Sequence, residues 1–295
     1  MAEDLGSLDD VYVKQENGKK ALAIASGGAP LDIMAFELGV NMGFYSGYTV
    51  VDKFGANFAI TALTDPEDIW EGGGLYSYDA PGTAPIVSVI SSLADVQPIE
   101  ITGLDINGDL VTQTITLTGN TRKALDTPLW RVFRMENVGT VDISGIVYCY
   151  VGTGGVPAIG NQRALINGST NQTLMALYTI PKGKVGFLYR GEFGVEYTSS
   201  PGQSQQYLRA SYQSRRIGKI FKVKKVVTLI TQGASSYMDK RSFPDIIPAL
   251  TDIKLNAIEV SEDMGVWGTF DILLVDEEKF SEAYLQAIGQ PGHEV

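Results

Sequence analysis

Repeated strand signals between residues 98 and 233 constrain the fold of this chain more than any other feature. The clearest lies at residues 111–118, where Val111, Ile115 and Leu117 share one face and four threonines fill the alternate positions. Side chains alternate between the two faces of a β-strand, so this pattern predicts a half-buried strand with a threonine-lined outer face.

A hairpin is predicted just before that strand, because Asn107 and Gly108 form the dipeptide most typical of a tight two-residue turn. Asp105, Asn107 and Asp109 also have the spacing that opens a calcium-binding loop. The acidic ligand expected near position 116 is a threonine, however, and the turn is therefore the better interpretation.

The predicted fold is mainly β: an antiparallel β-sandwich, jelly-roll-like, with an N-terminal extended arm containing short helices and a short C-terminal helix. We expect three segments, which are the arm at 1–83, the sandwich at 84–277, and a short helix with the tail at 278–295. The strands are predicted at 85–91, 97–103, 110–118, 129–136, 145–151, 172–180, 184–197, 205–212, 218–231, 252–261 and 266–276. The run 145–151 is apolar on both faces, which predicts a central strand.

Within the arm, the clearest local unit begins at Asp65, which can cap a helix with Pro66 in its first turn and Gly72 at its end. One helical turn presenting Trp70 is expected. Trp70 is a candidate interface residue: it either pins the arm to the β domain or contacts a neighbouring subunit.

Reactive side chains are scarce, since the chain has one cysteine and one histidine. Cys149 lies in an apolar run and His293 lies in the tail, so a buried thiol without a catalytic partner is expected. No catalytic, cofactor-binding or metal-binding residues are predicted, and no cofactor is expected. The acidic start at Met1 lacks the positive region of a secretory signal, and no apolar run is long enough to span a bilayer.

The formal net charge of −11 disfavours nucleic acid and anionic membranes as partners and favours proteins. One segment has the opposite charge, with seven basic residues and no acidic residue between positions 206 and 231. We interpret it either as a solvated face or as a contact with an acidic patch on a neighbouring subunit. Nucleic acid is the third alternative, opposed by the net charge and by the few aromatic residues interleaved in the segment. The candidate interface residues are Arg209, Arg215, Arg216, Lys219, Lys222, Lys224 and Lys225.

At the other end of the chain, Phe280, Tyr284 and Ile288 recur every fourth residue, and Gly289 is placed to end a helix. These three residues are further interface candidates. Their short apolar stripe packs on its own subunit or docks on a neighbour.

Three phrases resemble a largely uncharacterised family of structural, capsid decoration-like proteins of tailed bacteriophages from aquatic samples. They are Thr64-Asp-Pro-Glu-Asp-Ile-Trp-Glu-Gly-Gly-Gly-Leu-Tyr76, the hairpin segment 103–119, and Asn171-Gln-Thr-Leu-Met-Ala-Leu-Tyr-Thr-Ile-Pro-Lys-Gly-Lys184. The resemblance covers about residues 50–277 and consists of turns and strands without active-site residues.

The resemblance implies a non-enzymatic virion protein that is made in a bacterial host and assembles as a symmetric homo-oligomer. The leading hypothesis is a capsid decoration, or cement, protein on the head surface, with a trimer as the expected form and the major capsid protein as partner. The alternatives are a neck or tail component, and a receptor- or carbohydrate-binding module. In the last case exposed aromatic rings would stack on sugars, with Tyr76, Tyr78, Tyr207, Tyr212 and Tyr237 as candidates.

Overall fold

A computed structural model describes residues 12–14, 20–22, 36, 38–60, 66–197, 206–231, 234–260 and 264–279. In this part of the chain the fold is mainly β, and the strands pair antiparallel throughout. The strands are β1 Tyr12–Lys14, β2 Lys20–Leu22, β3 Tyr48–Ile60, β4 Glu67–Asp68, β5 Ile86–Ser91, β6 Pro98–Leu104, β7 Leu110–Thr116, β8 Lys123–Leu129, β9 Arg131–Asn137, β10 Ile146–Val151, β11 Gln162–Asn167, β12 Leu177–Thr179, β13 Lys184–Tyr197, β14 Gln206–Arg216, β15 Lys222–Thr231, β16 Ser235–Ile247, β17 Thr251–Val260 and β18 Met264–Asp276.

Helical structure in the described residues is limited to residues 36 and 38–41 and three 3-10 turns at Ile159–Asn161, Gly168–Thr170 and Glu277–Lys279.

Lobe 1 is a sandwich of two sheets built from β3, β4 and β12–β18. One sheet has the order β16-β13-β18-β3, and the other has the order β12-β17-β14-β15 with β4 beside β17. Alternate side chains of both sheets meet in one buried cluster, to which Phe193, Tyr212, Leu255 and Phe270 contribute. Because Phe193 and Tyr212 lie edge-to-face with ring centroids 4.9 Å apart, the two sheets contact each other directly at this point.

Lobe 2 is a smaller sandwich that the chain builds between β4 and β12. Its sheets have the orders β11-β10-β5-β8 and β7-β6-β9. They enclose a second buried cluster that includes Val89, Ile101, Val132 and Cys149. The chain therefore starts lobe 1, forms all of lobe 2, and returns to complete lobe 1.

The strongest sequence signals are confirmed. Strand β7 exposes its threonines and buries Gln113 and Ile115, and Gly108 has a φ of 81° in the turn before it. Both Asn107 N and Asp109 N donate to Asp105 Oδ1, which makes the segment a hairpin turn. Strand β10 lies between β5 and β11, as a strand that is apolar on both faces should.

The helical prediction at 65–72 is wrong, because Glu67 and Asp68 form a short strand beside β17 and Trp70 pairs with Met175. Seven strands were not predicted: β1, β2, β3, β4, β8, β11 and β16. Strand β3 lies within the expected arm, yet it pairs with β18 along nearly its whole length. The division into an arm, one sandwich and a tail stays a prediction, as does the jelly-roll topology.

Candidate interaction surface

The basic segment forms β14, a turn at 217–221, and β15, which is the outermost strand of its sheet. Five of its seven basic side chains are exposed: Arg209, Arg216, Lys219, Lys222 and Lys224. The alternation that predicts Lys222 and Lys224 on one side is interrupted by a bulge, because Val223 and Lys225 oppose consecutive residues of β14. Both lysines nevertheless reach solvent.

Exposed aliphatic side chains accompany these lysines. Ile220 is 77% exposed, Val223 52% and Val226 49%. We call the turn at 217–221 together with β15 the cationic edge. On its outer side, β15 has no strand partner within the described residues. Such an edge combines unpaired backbone groups with positive charge and apolar surface.

Lys225 belongs to the same strand but is held inside the sandwich rim. Its ammonium lies 2.5 Å from Asp239 Oδ1 on β16 and 5.6 Å from the centre of the Tyr237 ring. Burial lowers the pKa of Lys225, but the hydrogen bond and the charge of Asp239 outweigh it and raise the pKa overall. This ion pair joins the edge strands of the two sheets of lobe 1 on the same side of the lobe.

Arg215 is also withdrawn from the surface and enters a buried ionic network centred on Asp252. Arg131 Nε lies 3.1 Å from Asp252 Oδ1, and Arg215 Nε lies 2.9 Å from Oδ2. Thr179 Oγ1 donates to Oδ1 at 2.6 Å. Arg131 comes from lobe 2 while Arg215 and Asp252 come from lobe 1, so this carboxylate links the lobes.

A second carboxylate of the network, Asp68, lies in the chain segment that leads from lobe 1 into lobe 2. Its Oδ1 lies 2.6 Å from Lys254 Nζ and accepts a hydrogen bond from Asn256 Nδ2 at 2.9 Å. Its Oδ2 accepts one from Tyr76 N at 2.9 Å. The segment at 66–82 is thereby fixed on the polar face of β17.

Farther along the same segment, Asp79 forms a two-point ion pair with Arg163 of lobe 2, at 2.7 and 2.8 Å. The ring of Tyr78 lies against two arginines of the network: its centre is 5.0 Å from the Arg131 guanidinium and 4.5 Å from that of Arg215. Burial raises the pKa of Tyr78 well above its ordinary value. We call Asp68, Asp79, Asp252 and their cationic partners the junction network.

Sequence reasoning missed the junction network. Asp252, Lys254 and Asn256 alternate with Ile253 and Leu255, which is the pattern of a strand with one solvated face. The structure instead covers that face with the segment at 66–82. All three carboxylates of the network are engaged by protein donors, so the arrangement fits a structural role.

Trp70 lies in the protein interior with 3% exposure. Its ring packs edge-to-face on Tyr76 with centroids 5.2 Å apart, and its Nε1 donates to Gly74 O at 3.4 Å. In this position its contacts are made within the chain. Phe280, Tyr284 and Ile288 lie outside the described residues, so their role and the predicted C-terminal helix stay predictions.

The tyrosines considered for sugar stacking are mostly enclosed. Tyr76 and Tyr212 are buried, Tyr78 lies between two arginines, and Tyr207 is half-buried. Of the five, Tyr237 is the most exposed, at 38%. Sugar stacking needs an accessible ring face, so these positions do not favour a carbohydrate site.

Reactive groups are few in the described chain. Cys149 is buried, and burial raises the pKa of its thiol to about 12. Among residues that the structure describes, no cluster of three His, Cys, Asp or Glu side chains could hold a metal ion. Within the same residues, no helix has the length and apolar character needed to cross a membrane. His293 lies outside them.

Comparison with known proteins adds little. No family model and no curated protein matches the chain. Among solved structures, it is similar to a chain of infectious bursal disease virus Gt strain, with 16% identity over 83% of this chain and 79% of that chain, at a TM-score of 0.22. A chain of the Gx strain is 10% identical over 79% and 73%, at a TM-score of 0.24. TM-scores this low carry no argument about fold or function.

Proposed function

We propose that this chain is a non-enzymatic structural protein of a phage virion, most specifically a capsid decoration protein that stabilises the head shell. The cationic edge is the observation that carries the proposal. An open strand edge that shows lysines beside exposed Ile220 and Val223 suits contact with another protein better than contact with solvent alone. The virion itself comes from the sequence resemblance.

The junction network supports this role because a shell component must hold its shape under load. Asp252 joins Arg131 of lobe 2 to lobe 1, and Asp68 and Asp79 hold the connecting segment to Lys254 of lobe 1 and Arg163 of lobe 2. Hydrogen-bonded charges in a low-dielectric site favour one fixed arrangement. We expect a homo-oligomer, with a trimer as the leading form, whose cationic edge meets acidic surface on the major capsid protein. The expected location is the head surface of particles made in a bacterial host.

The test is quantitative mass spectrometry of purified particles from the phage that encodes this chain, followed by cryo-electron microscopy. A copy number close to that of the major capsid protein, with density on the outer shell, is the expected result. A copy number that matches a single ring would identify a neck or tail component instead. Absence of the chain from particles would overturn the virion role.

A further inference from the structure

The first eleven residues carry negative charge, opposite to the positive charge of the cationic edge. They contain Glu3, Asp4, Asp9 and Asp10 and no basic residue, whereas residues 206–231 contain seven basic residues and no acidic one. We propose that residues 1–11 of one copy bind the cationic edge of a second copy. The inference identifies which segment and which surface would form the contact in the homo-oligomer, and it rests on the proposed function.

The position at which the arm leaves lobe 1 favours a neighbouring copy as the partner. Residues 38–47 lead into β3, and Asp276 N donates to Gly47 O at 2.9 Å, which fixes this entry beside the end of β18. Strand β3 is one edge of its sheet and β16 is the other. The ion pair between Lys225 and Asp239 places the cationic edge on the β16 side. The arm therefore starts on the side of lobe 1 opposite the surface that it would bind.

The chain is long enough for such an exchange. Strands β1 and β2 pair antiparallel and bring Tyr12 beside Leu22, so the reach of the arm comes from residues 22–38. These could extend up to roughly 50 Å, at about 3.3 Å per residue. Four strands span only about 14 Å, at about 4.8 Å between neighbours. When one side of each copy binds the opposite side of the next, the contact is heterologous and closes into a ring if the rotation allows. Three copies form the smallest closed ring with such a contact, and a trimer is also the oligomer of the proposed function.

The chemistry of the edge explains why an acidic segment would be selected. Lysines on an edge strand normally discourage pairing with other strands, because two such edges repel each other. A segment with acidic side chains reverses that repulsion and gains specificity over neutral segments. The aliphatic side chains of Leu5 and Leu8 could then cover Ile220 and Val226, which are exposed.

The experiment measures self-association of the full chain by sedimentation and native mass spectrometry at low and high salt. Variant D9N/D10N should weaken association about tenfold, as expected for two exposed ion pairs. K222E/K224E should weaken it at least as much. A matched control, D109N/D126N, removes two exposed acidic charges from lobe 2 and should leave association unchanged. High salt should weaken association of the unaltered chain, because it screens exposed charges.

The deciding variant exchanges the charges. A chain carrying D9K/D10K together with K222E/K224E should associate like the unaltered chain, although each half of the change alone weakens it. Failure of the exchange to restore association would overturn the inference, and so would an unaltered chain that stays monomeric. The outcome is separable from the virion test: a restored oligomer from a chain that is absent from particles would leave this contact intact and remove only the virion role.

Discussion

The junction network and the cationic edge use the same kinds of side chain with opposite consequences. Arg215 and Lys224 lie nine residues apart in one basic segment, yet Arg215 meets the buried Asp252 at 2.9 Å while Lys224 is exposed. The difference lies in what covers each face. The segment at 66–82 encloses the polar face of β17, whereas no strand of the described chain pairs with the outer side of β15. The charge of Arg215 therefore contributes to the folded structure, whereas the charge of Lys224 is accessible to a binding partner.

The largest effect is expected at the centre of the junction network. Asp252→Ala would leave the buried cation of Arg131 and the half-buried cation of Arg215 without their shared carboxylate, at a cost of about 3–5 kcal/mol in the free energy of unfolding. Urea denaturation measures that loss. Asp126→Ala, at an exposed position in lobe 2, is the control and should change little. A loss below about 1 kcal/mol for Asp252→Ala would show that the network does not hold the lobes together.

Lys53 differs from both groups of cations: it is buried, and its ammonium donates a hydrogen bond to the backbone carbonyl of Phe133. Burial, followed by the charge of Arg134, lowers the pKa of Lys53 from 10.5 to about 7, against a smaller opposing effect of Asp52. Between about pH 7 and 10.5 the unfolded chain then binds more protons than the folded chain, so this residue makes stability rise with pH across that window.

Lys53→Met should remove that part of the pH dependence. It should also stabilise the fold, by about 2 kcal/mol below pH 7, because an uncompensated buried charge is replaced by an apolar side chain of similar length. Thermal unfolding from pH 6 to pH 10 measures both effects. Lys182→Met, at an exposed position, is the control. Equal pH slopes for the Lys53 variant and the unaltered chain would contradict the lowered pKa.

Lys53 also explains why the sequence was an incomplete guide to the fold. Strand β7 was predictable because Val111 and Ile115 face the core while each of its threonines faces water. Strand β3 was not, because it turns Lys53 and Asn57 inward and leaves Asp52 exposed. The hydrophobic residues of β3 therefore do not alternate in the way that predicts a strand.

The candidate surface was predictable in part. Composition alone marks residues 206–231 as basic. Lys222 and Lys224 are exposed on the edge strand β15, and Lys219 is exposed in the turn before it. The inward positions of Arg215 and Lys225 depend on carboxylates that are distant in sequence, Asp252 and Asp239. Ion pairs of that kind arise from tertiary packing, which local periodicity does not report.

A smaller effect is expected where the cationic edge meets the rim of lobe 1. Asp239→Asn should cost about 1 kcal/mol, because Lys225 keeps one third of its side chain in solvent and can rehydrate. Chemical denaturation at low and high salt measures the change, and the loss should shrink at high salt as screening weakens the pair. A loss of stability as large as that of Asp252→Ala would show that Lys225 behaves like a buried cation and not like a half-exposed one.

The smallest effect is expected at Lys224, whose ammonium contributes to a surface and not to a core. Lys224→Ala should change the free energy of unfolding by no more than about 0.5 kcal/mol, as substitutions at exposed positions usually do. Arg215→Ala, in the same basic segment, should cost several times more because it strips a buried carboxylate of one partner. Urea denaturation of the two variants side by side tests this directly. Equal losses of stability in the two variants would contradict the distinction between the junction network and the cationic edge. A loss above about 1 kcal/mol for Lys224→Ala would show that the Lys224 side chain contributes to the folded core and not only to a binding surface.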